Sequence, residues 1–396
     1  MSTVSVPGTA ESLLQGYAPG AAFFCSPRHA LLGEGHRAVL PPGLHDELVE
    51  RVEAFLRSVA DDGHRDPVAF GALPFSPDGP VRVVVPEHVR RGAPLAADEA
   101  ALLGADRPAP GGRGGTGSAW SVRPVPEPAA YAGIVDEAVG RMGADRLEKV
   151  VLARSLELRA DGPIDAGVLL RRLATRDPRG YVFAVDLGGE TLVGASPELL
   201  VSRQGDLVVA RPLAGSAARR RDPGEDHDRA AALFRSPKDR HEHCVVVEAV
   251  AAALRPFCAT LDVPAEPSLV ATTAMWHLGT TVVGRLAEPR ASALTLATAL
   301  HPTPAVCGTP PGAAHALIEE LEPFQRGPYA GAVGWQDASG DGEWVVTIRC
   351  GIVRGDSVRL FAGAGVVAGS SGAGELAETQ AKFRTFLAAI GVEEQR

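Results

Sequence analysis

The sequence predicts an α+β fold, with large antiparallel or mixed sheets faced by helices. Two observations carry that reading. Strand-like runs come in hairpin succession, as in "YVFAVDL-GG-ETLVGAS" and "LLVSR-QGD-LVVAR", whose short Gly-containing turns favour antiparallel pairing. Helical patterns fall between such pairs instead of alternating one-for-one with strands, which argues against a doubly wound parallel sheet. No repeat of 20–50 residues divides the chain, and 396 residues with 45% hydrophobic side chains can bury a large core.

Along the chain, "GLHDELVERVEAFLRSVA" reads as an amphipathic helix and "VRVVV" as a strand. The Gly/Pro-rich, aperiodic stretch 104–128 reads as a loop or linker. Beyond it come a helix, "AAYAGIVDEAVGRMGA", a strand, "KVVLARSLEL", and a helix, "IDAGVLLRRLATR". After the two hairpins, residues from Asp226 to about Leu254 are helical, with Ser236-Pro237 restarting the helix as cap and first-turn proline. The run "LHPTPAVCGTP", with three prolines and no acid or strong base, is a stiff, non-helical strap. Strands "AGAVGWQD", "GEWVVTIRCGIVRG" and "SVRLFAGAGVV" and a final helix from about Ser371 complete the chain.

The formal charge of −9 argues against a general nucleic-acid or anionic-membrane binder. No apolar run approaches the ~20 residues that span a bilayer, and the start lacks a signal-peptide pattern, so a cytoplasmic protein is expected. Cysteines 25, 244, 258, 307 and 350 include no CxxC pair and fit reduced thiols. Of 39 strong cations only Lys149, Lys238 and Lys382 are lysine. Where arginine is the generic cation, a lysine marks a site for inspection, because burial can turn its amine into a base.

Several residues could carry chemistry, each with a plainer alternative. Glu375, Glu378 and Lys382 share one face of the last helix, as a solvated face or as the wall of a site. Glu242 lies in "KDRHEH" beside an apolar run, as a ligand or as a surface partner of an arginine. The "HEH" is not a zinc motif, since residues two apart on a helix diverge by about 200°; oxygen-only ligands from two helices would favour Mg²⁺. Lys149 heads its strand, as a snorkelling edge residue or a buried base. Glu198 follows a proline where a strand breaks, as a turn cap or an acid facing a pocket. "RPLAGS" offers exposed backbone N–H groups, and Arg349, on a strand among apolar neighbours, needs an anionic partner such as a substrate carboxylate. Cys307 reads as a small buried thiol.

In this order, the blocks "KVVLAR", "GASPELL", "RPLAGS", "KDRHEH", "MWHLGT", "LHPTPAVCGTP", "LEPFQRGPYAGAVGW", "GEWVVTIRC", "RLFAGAGVV" and "GELAETQAK" resemble the chorismate-utilising enzymes. The resemblance spans roughly residues 130–392 and is nearest to isochorismate synthases of siderophore (2,3-dihydroxybenzoate) type. It implies an anthranilate synthase component I-like fold, with residues 1–125 a variable portion of the same fold and 126–396 the catalytic core.

The resemblance further implies that Glu242 and Glu378 ligate Mg²⁺, with Glu375 beside them. Arg349 would hold the enolpyruvyl carboxylate of chorismate, and Lys382, Gly215, Gly363 and Gly365 would complete the cradle. Ser216, where the family usually has threonine, and His277 would line the site, and Ala305 and Val306 would pack against the substrate. Lys149 would deprotonate water for attack at ring C2, and Glu198 would protonate the departing C4 hydroxyl. Lysine at 149 separates the water-using branch from the ammonia-using branch, so no glutaminase partner is expected and the chain would act as a monomer. Salicylate synthases keep a lysine there too, and formation of salicylate stays open on that residue alone.

Overall fold

The computed structural model describes residues 8–43, 46–64, 66–96, 120–142 and 147–392. Its longest strands are two apolar runs, Lys149–Arg159 and Ser357–Val367, which pair antiparallel along their full length, from Lys149 opposite Val367 to Arg159 opposite Ser357. Alternation sends one row of each strand inward and the other onto helices. Around this pair the first sheet gathers eleven described strands, all but one of its pairings antiparallel. It includes both strands of the hairpin Tyr181–Asp186 and Thr191–Ser196, and the front-portion strands Ala22–Cys25, Ala30–Glu34 and His88–Ala93. A second sheet of nine described strands centres on Leu199–Gln204, Gly342–Val346, Ala332–Asp337 and Val68–Leu73. A small third sheet joins Leu213–Ala218, Met275–Gly279 and Ser268–Ala271. The α+β expectation is borne out.

One apolar cluster joins side chains of both large sheets, among them Phe183, Leu192, Phe70, Val201, Val333 and Trp344. A second lies on the other face of the first sheet, under the helices Ala10–Gly16, Ala166–Arg176 and Gly372–Ile390, and contains Leu13, Leu170, Val182, Val193 and Phe386. The anticipated helices form at Leu48–Asp61, Pro128–Met142, Pro223–Arg235 and Pro237–Leu254. Ser236 caps the last of these by accepting from the Asp239 N–H, and Pro237 occupies its first turn.

Two expectations are corrected. Most of the stretch anticipated as a linker, residues 104–119, lies outside the described residues. Its end, Ser121–Val125, is a strand paired to Lys149–Arg159, with Pro124 tolerated because this is an edge position. "GEWVVTIRC" is not one strand: Gly342–Val346 belongs to the second sheet and Cys350–Arg354 to the first. Arg349 lies at the changeover with φ +52°, a left-handed conformation unusual for a side chain of its size. "GASPELLVS" changes sheet in the same way, with Glu198 at the changeover between Thr191–Ser196 and Leu199–Gln204. The two changeovers are laced together, since Ala195 N–H donates to the Arg349 carbonyl and Val346 N–H to that of Glu198 (both 3.1 Å).

The strap runs from the helix Ala293–Leu300 to the helix Pro311–Leu321. Its residues Gly308 and Thr309 pair with Val150 and Lys149, and Val151 N–H donates to the Cys307 carbonyl at 2.8 Å. Gly308 is required there, because at φ +142° a Cβ would lie 2.2 Å from the Lys149 carbonyl oxygen. Behind the strap, Glu322 accepts from the Ala153 N–H (2.7 Å) and from Arg326, whose guanidinium also donates to the carbonyls of Val306 and Val151. Both partners are buried. Removing one side of such a pair strands the other charge. Glu322→Ala is therefore expected to cost about 3–5 kcal/mol of stability by urea denaturation; a loss below about 1 kcal/mol would contradict this role.

Candidate active site

The pocket opens where the two large sheets part at the paired changeovers. Glu198 and Arg349 line it from the changeovers, Gly363 and Gly365 from the long strand, and Ala305 and Val306 from the strap. Gly215, Ser216 and His277 come from the third sheet, and Glu242, Glu375, Glu378 and Lys382 from the helices Pro237–Leu254 and Gly372–Ile390. Lys149, at the head of its strand, touches the lining through Glu242: its Nζ is 2.8 Å from Glu242 Oε1, and the lysine is only 4% exposed. The other site residues expected from the sequence all line this one pocket.

Backbone choices make room for it. A Cβ on Gly365 would lie 2.8 Å from Glu242 Oε1 and 3.1 Å from Lys149 Cε, so glycine lets that pair form beside the strand. A Cβ on Gly363 would lie 2.9 Å from the Tyr329 hydroxyl. Gly215 (φ +72°) sits at a register shift between Ala214 and Ser216, a bulge that brings its backbone against Asp239. Ser216 Oγ and His277 Nδ1 are 3.0 Å apart. Burial, then the charges of Arg349 and Lys382, hold His277 well below the usual histidine range, so it is neutral near pH 7.

The carboxyl groups divide by environment. Glu198, 3% exposed, accepts one hydrogen bond, from the Leu213 N–H at 3.3 Å. Burial pushes its carboxyl up to about 7 against the pull of that bond and of Lys149, Lys382 and Arg349. Burial also works on Glu242, but the charge and hydrogen bond of Lys149 outweigh it and hold the group below the usual range. Asp239 is raised by burial and then by Glu242 and Glu378, and Glu375 by burial and then by Glu378. Glu378 Oε1 is 2.6 Å from Lys382 Nζ, which also donates to the Gly363 carbonyl at 2.8 Å.

Carboxylates from two helices thus repel one another around a common space, an oxygen-only set suited to a hard divalent cation that keeps several waters. Glu242 and Glu378, with Glu375 and Asp239 beside them, fit such an ion by donor chemistry. The arrangement differs from a ready-made three-carboxylate centre: among the described residues no group of three His, Cys, Asp or Glu is gathered to hold a metal. Two of the three expected ligands are paired with lysine, the nearest counter-charge for a buried carboxylate. The "HEH" diverges as helix geometry requires, with His241 exposed and His243 buried 2.7 Å from Thr280 Oγ1. Cys307 is wholly buried and its thiol is pushed up to about 11 by burial, which suits packing rather than nucleophilic attack.

Three polar residues of the pocket were not singled out as site residues: Tyr329, Asp239 and Lys238. Tyr329 stacks on Phe361 with ring centroids 4.9 Å apart; its only signal was its place in the block "LEPFQRGPYAGAVGW". Asp239 shares a helix face with Glu242, and Lys238 is one of three lysines. Those were the available signals.

The family model described as chorismate binding enzyme matches residues 116–391. The chain belongs to that family. It is 48% identical over 395 residues to isochorismate synthase DhbC of Bacillus subtilis (strain 168), covering 97% of each. The crystal structure of DhbC from Bacillus anthracis is similar at a TM-score of 0.90 and 46% identity, over 97% of this chain and 100% of that one. Anthranilate synthase component I from Streptococcus pneumoniae TIGR4 shares the fold, with a TM-score of 0.69 at 21% identity over 98% of this chain and 95% of that one.

The raised Glu198 carboxyl ties stability to pH. Folded, the group keeps its proton to about 7; unfolded, it loses it near 4.5. The folded state therefore binds more protons between those values, and its stability falls as pH rises through that window. Glu198→Gln is expected to flatten this decline in denaturation curves at pH 4.5 to 7.5. An identical pH dependence in variant and wild type would show that the carboxyl is not raised.

Proposed function

We propose that this chain is an isochorismate synthase, converting chorismate reversibly to isochorismate by adding water at ring C2 and expelling the C4 hydroxyl. One observation carries this assignment: a buried, proton-holding carboxyl, Glu198, lines one pocket with a cationic clamp and an acidic set, and the amine of Lys149 stands against that acidic set. Its support from relatives is the 48% identity, over nearly the whole chain, to isochorismate synthase DhbC.

In the mechanism, Arg349 takes the enolpyruvyl carboxylate, and Lys382 with the backbone of Gly215, Gly363 and Gly365 cradles the rest of the dianion. Ala305 and Val306 pack on the ring, and neutral His277, held against Ser216, lines the wall without adding charge. Lys149 first gives up its ion pair with Glu242 and releases a proton to solvent, and the neutral amine then accepts a proton from the water whose oxygen bonds to C2. Both conjugated ring double bonds shift, C1=C2 to C1=C6 and C5=C6 to C4=C5, and the C4–O bond breaks as Glu198 gives its proton to the departing hydroxyl, so that one water enters and one leaves. Each proton transfer is worth about 10²–10⁴-fold. Glu198 serves as the acid because burial keeps it protonated near neutral pH. Glu242 and Glu378, with Glu375 adjacent, would hold Mg²⁺, which when bound neutralises and orients the ring carboxylate.

In this assignment residues 1–125 serve as framework and 126–396 carry the chemistry. The enzyme works in the cytoplasm as a monomer and needs no glutaminase subunit, because water is the nucleophile. Among the described residues no helix is long and apolar enough to cross a membrane.

The test is product analysis of purified protein with chorismate and Mg²⁺, with and without ammonium. Isochorismate is expected in both, with no pyruvate, and Lys149→Ala is expected to lose at least about 10²-fold in kcat while still binding chorismate. Stoichiometric pyruvate with salicylate, an aminated product, or an unimpaired Lys149→Ala enzyme would each refute the assignment.

A further inference from the structure

Two of the three lysines, Lys238 and Lys382, line this pocket and the third, Lys149, contacts its lining through Glu242, while the other 36 strong cations are arginine. Two are spoken for: Lys149 pairs with Glu242 and Lys382 with Glu378. Lys238 differs from both. It is exposed at the pocket mouth, and among the described residues it forms no ion pair or hydrogen bond. It also stands in the first turn of the helix Pro237–Leu254, just after its cap Ser236. The helix dipole disfavours a cation at that end. A generic surface charge would be expected elsewhere, and as arginine.

Its surroundings give this position a use. Asp239, Glu242, Glu375 and Glu378 all line the pocket, and the chain carries a formal charge of −9. An anionic substrate entering the pocket shares it with this acidic set on its way to Arg349 and Lys382. Over the last ~8–10 Å, where salt no longer screens, an exposed ammonium at the mouth, whose charge already acts on Asp239, Glu242 and Glu375, offsets part of the acidic field. Lysine suits capture better than arginine. A hydrated point charge on a flexible stem can follow a carboxylate inward and let go, whereas a guanidinium fork clamps it in two hydrogen bonds.

The geometry points to Lys238 as the residue that captures a substrate carboxylate at the mouth and leads it past the acidic groups of the lining. This rests on chorismate, a dianion, being the substrate. Rim charges act mainly on association rate and its salt dependence, so the effect is separable from the chemistry inside.

The experiment is steady-state kinetics of Lys238→Gln and Lys238→Arg at fixed Mg²⁺ and two ionic strengths. For Lys238→Gln, kcat/KM at low salt is expected to fall about tenfold, the loss carried by KM, and its decline with salt to become shallower. For Lys238→Arg, kcat/KM is expected within about twofold of wild type, with a lower kcat from slower release. Unchanged kcat/KM and salt slope in Lys238→Gln would overturn the inference, as would a loss confined to kcat. If the wild-type enzyme itself fails to turn over chorismate, the assigned function falls and the inference with it. A working wild type with a silent Lys238→Gln removes the inference alone.

Discussion

The ion pair between Lys149 and Glu242, 2.8 Å apart and largely out of water, is the contact around which the pocket is arranged. A buried ammonium and a buried carboxylate are each costly alone and tolerable only together. The sequence therefore has to bring the head of one strand and a helix nearly a hundred residues later to the same point. Gly365 leaves the space between them, the strap pairs its short strand to Lys149, and Glu322 with Arg326 fastens strap and strand from behind. A failure in any of these would leave a charge buried without its partner.

The same pocket holds two glutamates in opposite states. Glu198 is given one backbone donor and an apolar enclosure and keeps its proton near neutrality, while Glu242 is given an ammonium and stays ionised. The proposed mechanism thereby gives acid work to one and cation holding to the other of two chemically identical side chains, by surroundings alone. The surroundings come from topology. Where the chain twice leaves one sheet for the other, strand pairing lapses, and Glu198 and Arg349 occupy those two points side by side. The left-handed backbone of Arg349 fits this account: a strained conformation held by its neighbours at a working position.

Much of this was legible in the sequence. The two hairpins were marked by alternation and Gly turns, the restart at Ser236-Pro237 by capping chemistry, and the ordered blocks from Lys149 to Lys382 by their resemblance to a family. The sheet changes at Glu198 and Arg349 were not. The apolar run "VVTIRC" satisfies the strand pattern continuously, and only three-dimensional pairing decides which sheet each half joins. The strands Ser268–Ala271 and Met275–Gly279 were missed because they are short, four and five residues, too few for alternation to mark them. Tyr329 reaches the pocket through non-local packing that has no local signature.

The central claim is that carboxylates from two separate helices serve one divalent ion in a pocket whose lysines otherwise neutralise them. Calorimetric titration of Mg²⁺ into the protein, equilibrated with chorismate and its product, tests it most directly. One ion per chain is expected, with affinity weakened about tenfold or more by Glu242→Gln and equally by Glu378→Gln. Mg²⁺ binding that survives either substitution unchanged would contradict the account.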